Sequence, residues 1–354
     1  MNYISRYGLE FNPFEKNSKE ILVEDQDYRE LKFRLDYLLQ LKGFGLVTGS
    51  PGLGKTTILR NWTKGLNPSA YRIVYLSLST VTTQEFYRQL CAALGADERF
   101  RKVDNYKEIQ SAIRRMSIEK KITPVIIFDE AQYMKTQILS DLKILFNFDM
   151  DASDKAIIIL CGLPLLISTL SLNANEALRQ RIIMSYQLSP LNKEESRSYI
   201  DTKLKKAGCM NQIFEENAYE AIVDYCSGNP RNISRLCDKA LLLGDNLKEN
   251  LISADTVMKA IEEVERYGND KKVRQSAQAL SLSALDVLGE AYETKAAALE
   301  GKDKFKQSLT EGANLADMLR EEVDRLTMAV NKANKENSFF GRLTKTLNDI
   351  VNEG

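Results

Sequence analysis

An eight-residue run, Gly49-Ser50-Pro51-Gly52-Leu53-Gly54-Lys55-Thr56, constrains this chain more than any other feature. It fits the pattern of a glycine, four residues, then Gly-Lys-Thr, and it sits between an apolar strand pattern at Phe44–Thr48 and a helical pattern from Thr56. Glycines there let backbone N–H groups close around a phosphate at a helix N-terminus. Lys55 brings positive charge to the β- and γ-phosphates, the Thr56 hydroxyl is a magnesium ligand, and Thr57 completes the binding run. The expected cofactors are ATP and Mg2+.

A loop of this kind needs a strand before it and a helix after it, and the sequence supplies more of both. Short β-branched runs at Phe44–Thr48, Arg72–Leu78, Pro124–Phe128, Ala156–Cys161 and Ile183–Leu188 alternate with helical patterns at Thr56–Thr63, Thr83–Leu94, Tyr106–Glu119 and Ile138–Phe146. Such alternation predicts an α/β fold: a parallel sheet with crossover helices. The third run, Val125-Ile126-Ile127-Phe128, ends in Asp129-Glu130. Asp129 at the strand's carboxyl end suits magnesium held through water, and Glu130 suits activation of the attacking water. One strand intervenes between the phosphate loop and this pair, an insertion characteristic of P-loop ATPases with a catalytic glutamate.

From Lys193 to about Arg266 no strand pattern remains, and four helical stretches predict a small all-α lid. Within it, Gly228-Asn229-Pro230-Arg231 combines a good N-cap with a good first helical residue, so Arg231 projects from the first turn of a lid helix, within reach of a γ-phosphate. None of the seven prolines lies beyond residue 230. The domains expected are 1–191 for the nucleotide-binding body, 192–266 for the lid and 267–354 for a helical tail. In that tail Leu309, Ala316, Val323 and Val330, with Leu319, Leu326 and Ala333, follow a heptad seam compatible with a coiled coil or with intramolecular packing. Phe340, Leu343, Leu347 and Ile350 share one helix face.

Composition excludes several chemistries. With no histidine among 354 residues, zincins, Ser-His-Asp and Cys-His hydrolases and His-relayed phosphotransfer are ruled out. Lys plus Arg balance Asp plus Glu at 49 each, so any nucleic-acid contact is a local patch. The longest apolar run, Ile157–Ile167, contains Gly162 and Pro164 and falls short of the roughly 20 residues of a bilayer span. Five scattered cysteines without a CxxC pair suit a reducing compartment. The expected location is cytoplasmic, without a membrane span.

Together these motifs make residues 3–266 resemble the AAA+ ATPases, and more closely the branch shared by the secretion ATPase ExeA and the transposition helpers TniB and TnsC. The resemblance is carried by Tyr7-Gly8-Leu9 with Asn12-Pro13-Phe14, the two nucleotide motifs and Leu178-Arg179-Gln180-Arg181-Ile182. It continues through Leu188-Ser189-Pro190-Leu191, Tyr199-Ile200, Ala207-Gly208, Ser227 to Ile233 and Leu236-Cys237-Asp238. It implies an AAA+ sheet with flanking helices and a helical lid, Arg181 reaching into a neighbouring subunit's ATP with Arg179 as alternative, and Arg231 as sensor two. At sensor one, where Asn is usual, Cys161-Gly162 stands.

The likeness further implies a self-assembling ATP hydrolase, active as a hexameric ring or helical filament on double-stranded DNA, that regulates transposition by selecting targets and recruiting a DDE-type transposase. Thr82, Thr83, Arg88, Arg99, Arg101 and Lys102 are the candidate DNA contacts, because counterion release needs clustered positive charge. Two other readings are a soluble ATPase acting on a protein complex, as in secretion, and a nucleotide-gated signalling switch.

Overall fold

The computed structural model describes residues 3–15, 21–77, 82–149 and 153–265, and the expected tail at 267–354 lies outside the described residues. Five parallel strands, β1 (Gly43–Thr48), β2 (Tyr71–Ser77), β3 (Thr123–Asp129), β4 (Ile157–Gly162) and β5 (Ile182–Gln187), form one sheet in the order β2-β3-β4-β1-β5. β1 and β4 are buried along their whole length, which is why they read as unbroken apolar runs. Because side chains alternate across a strand, each central strand feeds two cores. Ile126, Phe128, Ile158 and Leu160 enter one, and Val125, Ile127, Ile157 and Ile159 the other.

Helices cover both faces. After α1 (Tyr3–Arg6) comes α2 (Gln26–Leu41), absent from the sequence expectation, whose Tyr28, Leu31, Leu35 and Leu38 pack with Leu59 and Trp62 of α3 (Lys55–Lys64). Trp62 Nε1 donates to Asp36 Oδ1 at 2.9 Å and locks the two helices together. On the opposite face lie α4 (Thr83–Leu94), α5 (Lys102–Arg114) and α6 (Thr136–Leu145). The pattern expected from Tyr106 begins earlier, at Lys102, with Asp104 complementing the dipole of the first turn, and it closes in a π-turn over Arg115–Glu119. Two short helices, α7 (Leu165–Leu170) and α8 (Glu176–Arg179), link β4 to β5.

The lid holds α9 (Lys193–Lys206), α10 (Glu216–Cys226), α11 (Pro230–Asn246) and a helix over 254–265, the four helical stretches expected. One parallel bridge, Phe214 with Ile252, adds a strand contact that the sequence did not announce. The N-terminal segment is tied to this lid. Arg6 pairs with Asp245, Asn12 Nδ2 donates to Asp238 Oδ1 at 2.7 Å, and the Glu10 amide donates to the Ala207 carbonyl at 2.7 Å. The described residues up to Ala260 belong to one compact unit. Among the described residues no helix is long and apolar enough to cross a membrane.

Candidate functional site

The strand order reverses beside β1, and ligands of open α/β sheets bind outside the strands' carboxyl ends at such a point. There the chain leaves β1, passes through Gly49–Gly54 and enters α3 at Lys55. Lys55 is almost fully buried, and its Nζ donates to the Gly49 carbonyl at 2.8 Å and to the Ser50 carbonyl at 3.1 Å. Its ammonium is therefore held inside the loop.

Asp129 ends β3, two positions across the sheet from β1, and is buried. Its Oδ2 accepts from Thr56 Oγ1 at 2.7 Å and from the Tyr75 hydroxyl at 2.8 Å, and its Oδ1 accepts from the Glu130 amide at 2.9 Å. Burial, then the bond to Asp129, pushes the Tyr75 hydroxyl up to about 12. Tyr75 therefore stays protonated and donates. Sequence reading passed over Tyr75. The signal was its place in a strand adjacent to β3, where the register sets Ser77 opposite Asp129.

The Thr56 hydroxyl and the Asp129 carboxylate give one hard-oxygen pair at the head of α3. That set fits magnesium, which keeps several waters and takes its remaining ligands from phosphates rather than from an all-protein cage.

Glu130 follows at φ 56°, ψ 38°, a left-handed conformation uncommon for a residue other than glycine. Its Oε2 accepts from Gln132 Nε2 at 2.6 Å, while Gln132 Oε1 accepts from the Leu163 amide at 3.0 Å. At the end of β4, Cys161 is fully buried. Burial and the neighbouring Asp129 raise its thiol far above the ordinary range, so it stays neutral and inert.

The lid meets the phosphate loop directly. Asn229 caps α11 by accepting from the Arg231 and Asn232 amides, and its Nδ2 donates to the Pro51 carbonyl at 2.8 Å. The Arg231 amide also donates to the Gly52 carbonyl at 3.3 Å. The approach is so close that a Cβ on Gly52 would lie 2.6 Å from Asn229 Oδ1 and 2.9 Å from Arg231 Cβ. The exposed Arg231 side chain thus starts beside the loop that Lys55 occupies.

The other expected residues fare differently. Arg181 is turned inward: it pairs with Asp154 at 3.2 Å, donates to the Lys143 carbonyl at 2.9 Å and lies over the Phe44 ring. Arg179, the alternative, is exposed and makes one long bond, 3.5 Å, to the Ser171 carbonyl. Among the candidate DNA contacts, Arg88 pairs with Glu98, Arg99 with Asp97 and Glu108, and Lys102 with Asp141. Thr82 is committed to a capping box with Glu85, and the Thr83 hydroxyl contacts Gln137. Among the described residues Arg101 alone of these four cations is in no ion pair, so the expected positive cluster is largely neutralised by carboxylates.

Fold and site define a P-loop nucleotide-binding protein with a helical lid. A family model described as AAA domain matches residues 38–170, so this part of the chain is similar to AAA domains. It is 29% identical over 248 residues to General secretion pathway protein A of Aeromonas hydrophila, a match covering 68% of this chain and 44% of that protein. The match therefore spans less than half of that relative's length. Among solved structures it resembles Cdc6p of Pyrobaculum aerophilum, at TM-score 0.56 and 17% identity over 71% of this chain and 70% of that one. It also resembles the ORC1 protein of Aeropyrum pernix, solved in complex with DNA, at TM-score 0.56 and 17% identity over 94% and 97%. These two likenesses establish the AAA+ fold.

Proposed function

We propose that this chain is a magnesium-dependent ATPase that turns over when assembled with further copies of itself. We further propose that in this state it binds duplex DNA without sequence preference and regulates transposition, selecting the target and recruiting a DDE-type transposase. The observation that carries the hydrolytic part of the reading is the convergence of Thr56 at the head of α3 with Asp129 and Glu130 at the end of β3, with the N-terminus of α11 resting on the phosphate loop.

In this reading the amides of Gly49–Thr56 and Thr57 hold the phosphates, and the Lys55 ammonium balances their charge. Thr56 Oγ1, and Asp129 through water, would hold magnesium, which would supply Lewis-acid charge to the phosphate oxygens. The Glu130 carboxylate takes a proton from water as the water oxygen bonds to the γ-phosphorus, and the bond from that phosphorus to the bridging oxygen breaks. Arg231 meets the charge from the lid side. Arg179, exposed where Arg181 is turned inward, is the residue that reaches a neighbouring copy's ATP, which makes turnover depend on assembly.

Support for the DNA arm comes from the likeness to transposition helpers and from the fold shared with a protein solved on DNA. A second reading, action on a protein complex, is favoured by the named relative and by the ion-paired state of Arg88, Arg99 and Lys102. The deciding experiment is duplex-DNA anisotropy with ATP, ADP or no nucleotide at about 50 and 200 mM salt, with phosphate release measured in parallel. Binding that needs ATP and weakens steeply with salt is expected, and Glu130→Gln should retain ATP and DNA while releasing no phosphate. Hydrolysis indifferent to DNA would transfer the weight to the second reading, and undiminished turnover by Glu130→Gln would remove Glu130 from its role.

A further inference from the structure

We propose that Gln132 is a positioning residue for Glu130, delivering to the end of β4 a carboxamide that β4 itself does not provide; this rests on the hydrolytic role proposed above for Glu130. Three observations meet at this side chain. Its Nε2 donates to Glu130 Oε2 at 2.6 Å, and its Oε1 accepts from the Leu163 amide at 3.0 Å. Only one orientation of the carboxamide satisfies both partners, since a carboxylate cannot donate and an amide N–H cannot accept. The third observation is steric: a Cβ built on Gly162 would lie 2.6 Å from Gln132 Oε1. The space that a side chain at position 162 would enter is filled by the Gln132 amide.

The backbone holds Gln132 in place as well. Directly after the left-handed Glu130, residues Ala131–Tyr133 form one tight 3-10 turn, closed by the Tyr133 amide on the Glu130 carbonyl at 3.0 Å and the Met134 amide on the Ala131 carbonyl at 3.1 Å. Glu130 and Gln132 thus leave a single short turn, and their side chains meet against the chain segment that follows β4. An unsupported glutamate has three rotatable bonds and would sample many rotamers, whereas a base must sit within hydrogen-bond reach of its proton in one of them. The Gln132 bridge selects one and references it to the β4 terminus rather than to solvent. Cys161, the preceding β4 side chain, is buried beside Asp129 and is not available for the task.

The test uses the full chain with Gln132→Ala, with the double variant Gln132→Ala/Gly162→Asn, which returns a carboxamide to the same volume from β4, and with Glu130→Gln as control. ATP turnover is measured with the affinity for a methylanthraniloyl-ATP probe and, without nucleotide, hydrogen–deuterium exchange at the Leu163 amide. Gln132→Ala should lower kcat about 10- to 100-fold with KM and probe affinity little changed, and should speed exchange at Leu163. The double variant should regain most of the lost kcat, an outcome that a merely structural role for Gln132 does not produce. An unchanged or raised kcat in Gln132→Ala, a kcat loss matched by an equal loss of probe affinity, or no recovery in the double variant would each overturn the proposal. Wild-type turnover by Glu130→Gln would instead sink the role of Glu130, and is told apart by that control.

Discussion

At the scale of single residues, the site is organised around one carboxylate. Asp129 receives the Thr56 and Tyr75 hydroxyls on one oxygen and the Glu130 amide on the other, so its plane is set before any ligand arrives. Arg181 shows the opposite use of a charged group. It joins Asp154 to two carbonyls near the C-terminus of α6 while stacking over Phe44, and its side chain is only 15% exposed. Arg181→Ala is therefore expected to cost about 2 kcal/mol or more, through orphaned carbonyls and a carboxylate that loses its partner, read as a lowered urea midpoint. An unchanged midpoint would show that the inward contacts carry no stability. Thr56, Lys55 and Asp129 were legible in the sequence because each sits in a contiguous motif whose chemistry is local. Tyr75 and Gln132 were not, because the contacts that matter depend on strand register and on the packing of a turn against the chain after β4, neither of which is written in neighbouring residues.

At the scale of elements, the five strands and the main crossover helices could be read from period and β-branching, with boundaries shifted by one or a few residues. α2 escaped although Tyr28, Leu31, Leu35 and Leu38 mark a clear apolar stripe and Asp25 caps it, since it precedes the first strand and no alternation pointed to it. The lid was legible as helices but not as a clamp on the N-terminal segment, a contact made over nearly two hundred residues. Lys203 of α9 sits at that clamp, donating to the Pro13 carbonyl at 3.0 Å and lying over the rings of Phe14 and Tyr199. Burial pushes its pKa from 10.5 down to about 8. The unfolded chain then binds more protons than the folded one between those values, so stability should rise as pH climbs from about 8 to 10.5, and below 8 the full cost of burying the charge is present. Lys203→Met should remove this slope, a difference on the order of 2–3 kcal/mol across the window. Denaturation midpoints of both proteins from pH 7.5 upward decide it, and parallel profiles would mean that the ammonium is better solvated than its surroundings imply.

At the scale of the whole molecule, the encounter of one copy with another matters more than any single residue. If Arg179 completes a neighbour's site, the specific hydrolysis rate of the wild-type chain should climb with protein concentration, while Arg179→Ala should stay flat at the low rate of isolated chains and bind ATP normally. The loss expected is on the order of 10^3-fold at saturating concentration, the scale of an arginine supplied in trans. A concentration-dependent rate that survives in Arg179→Ala would place the assembly effect elsewhere. The contact between Asn229, Arg231 and the carbonyls of Pro51 and Gly52 bears on how such copies keep time. The Gly49–Gly54 loop and the first turn of α11 touch through one main-chain hydrogen bond and the short Asn229 side chain, with no long side chain between them to absorb a displacement. Were phosphate binding to shift that loop, the displacement would reach α11 directly, and in the assembled ATPase proposed above each copy would pass its own chemical state outward through this one joint.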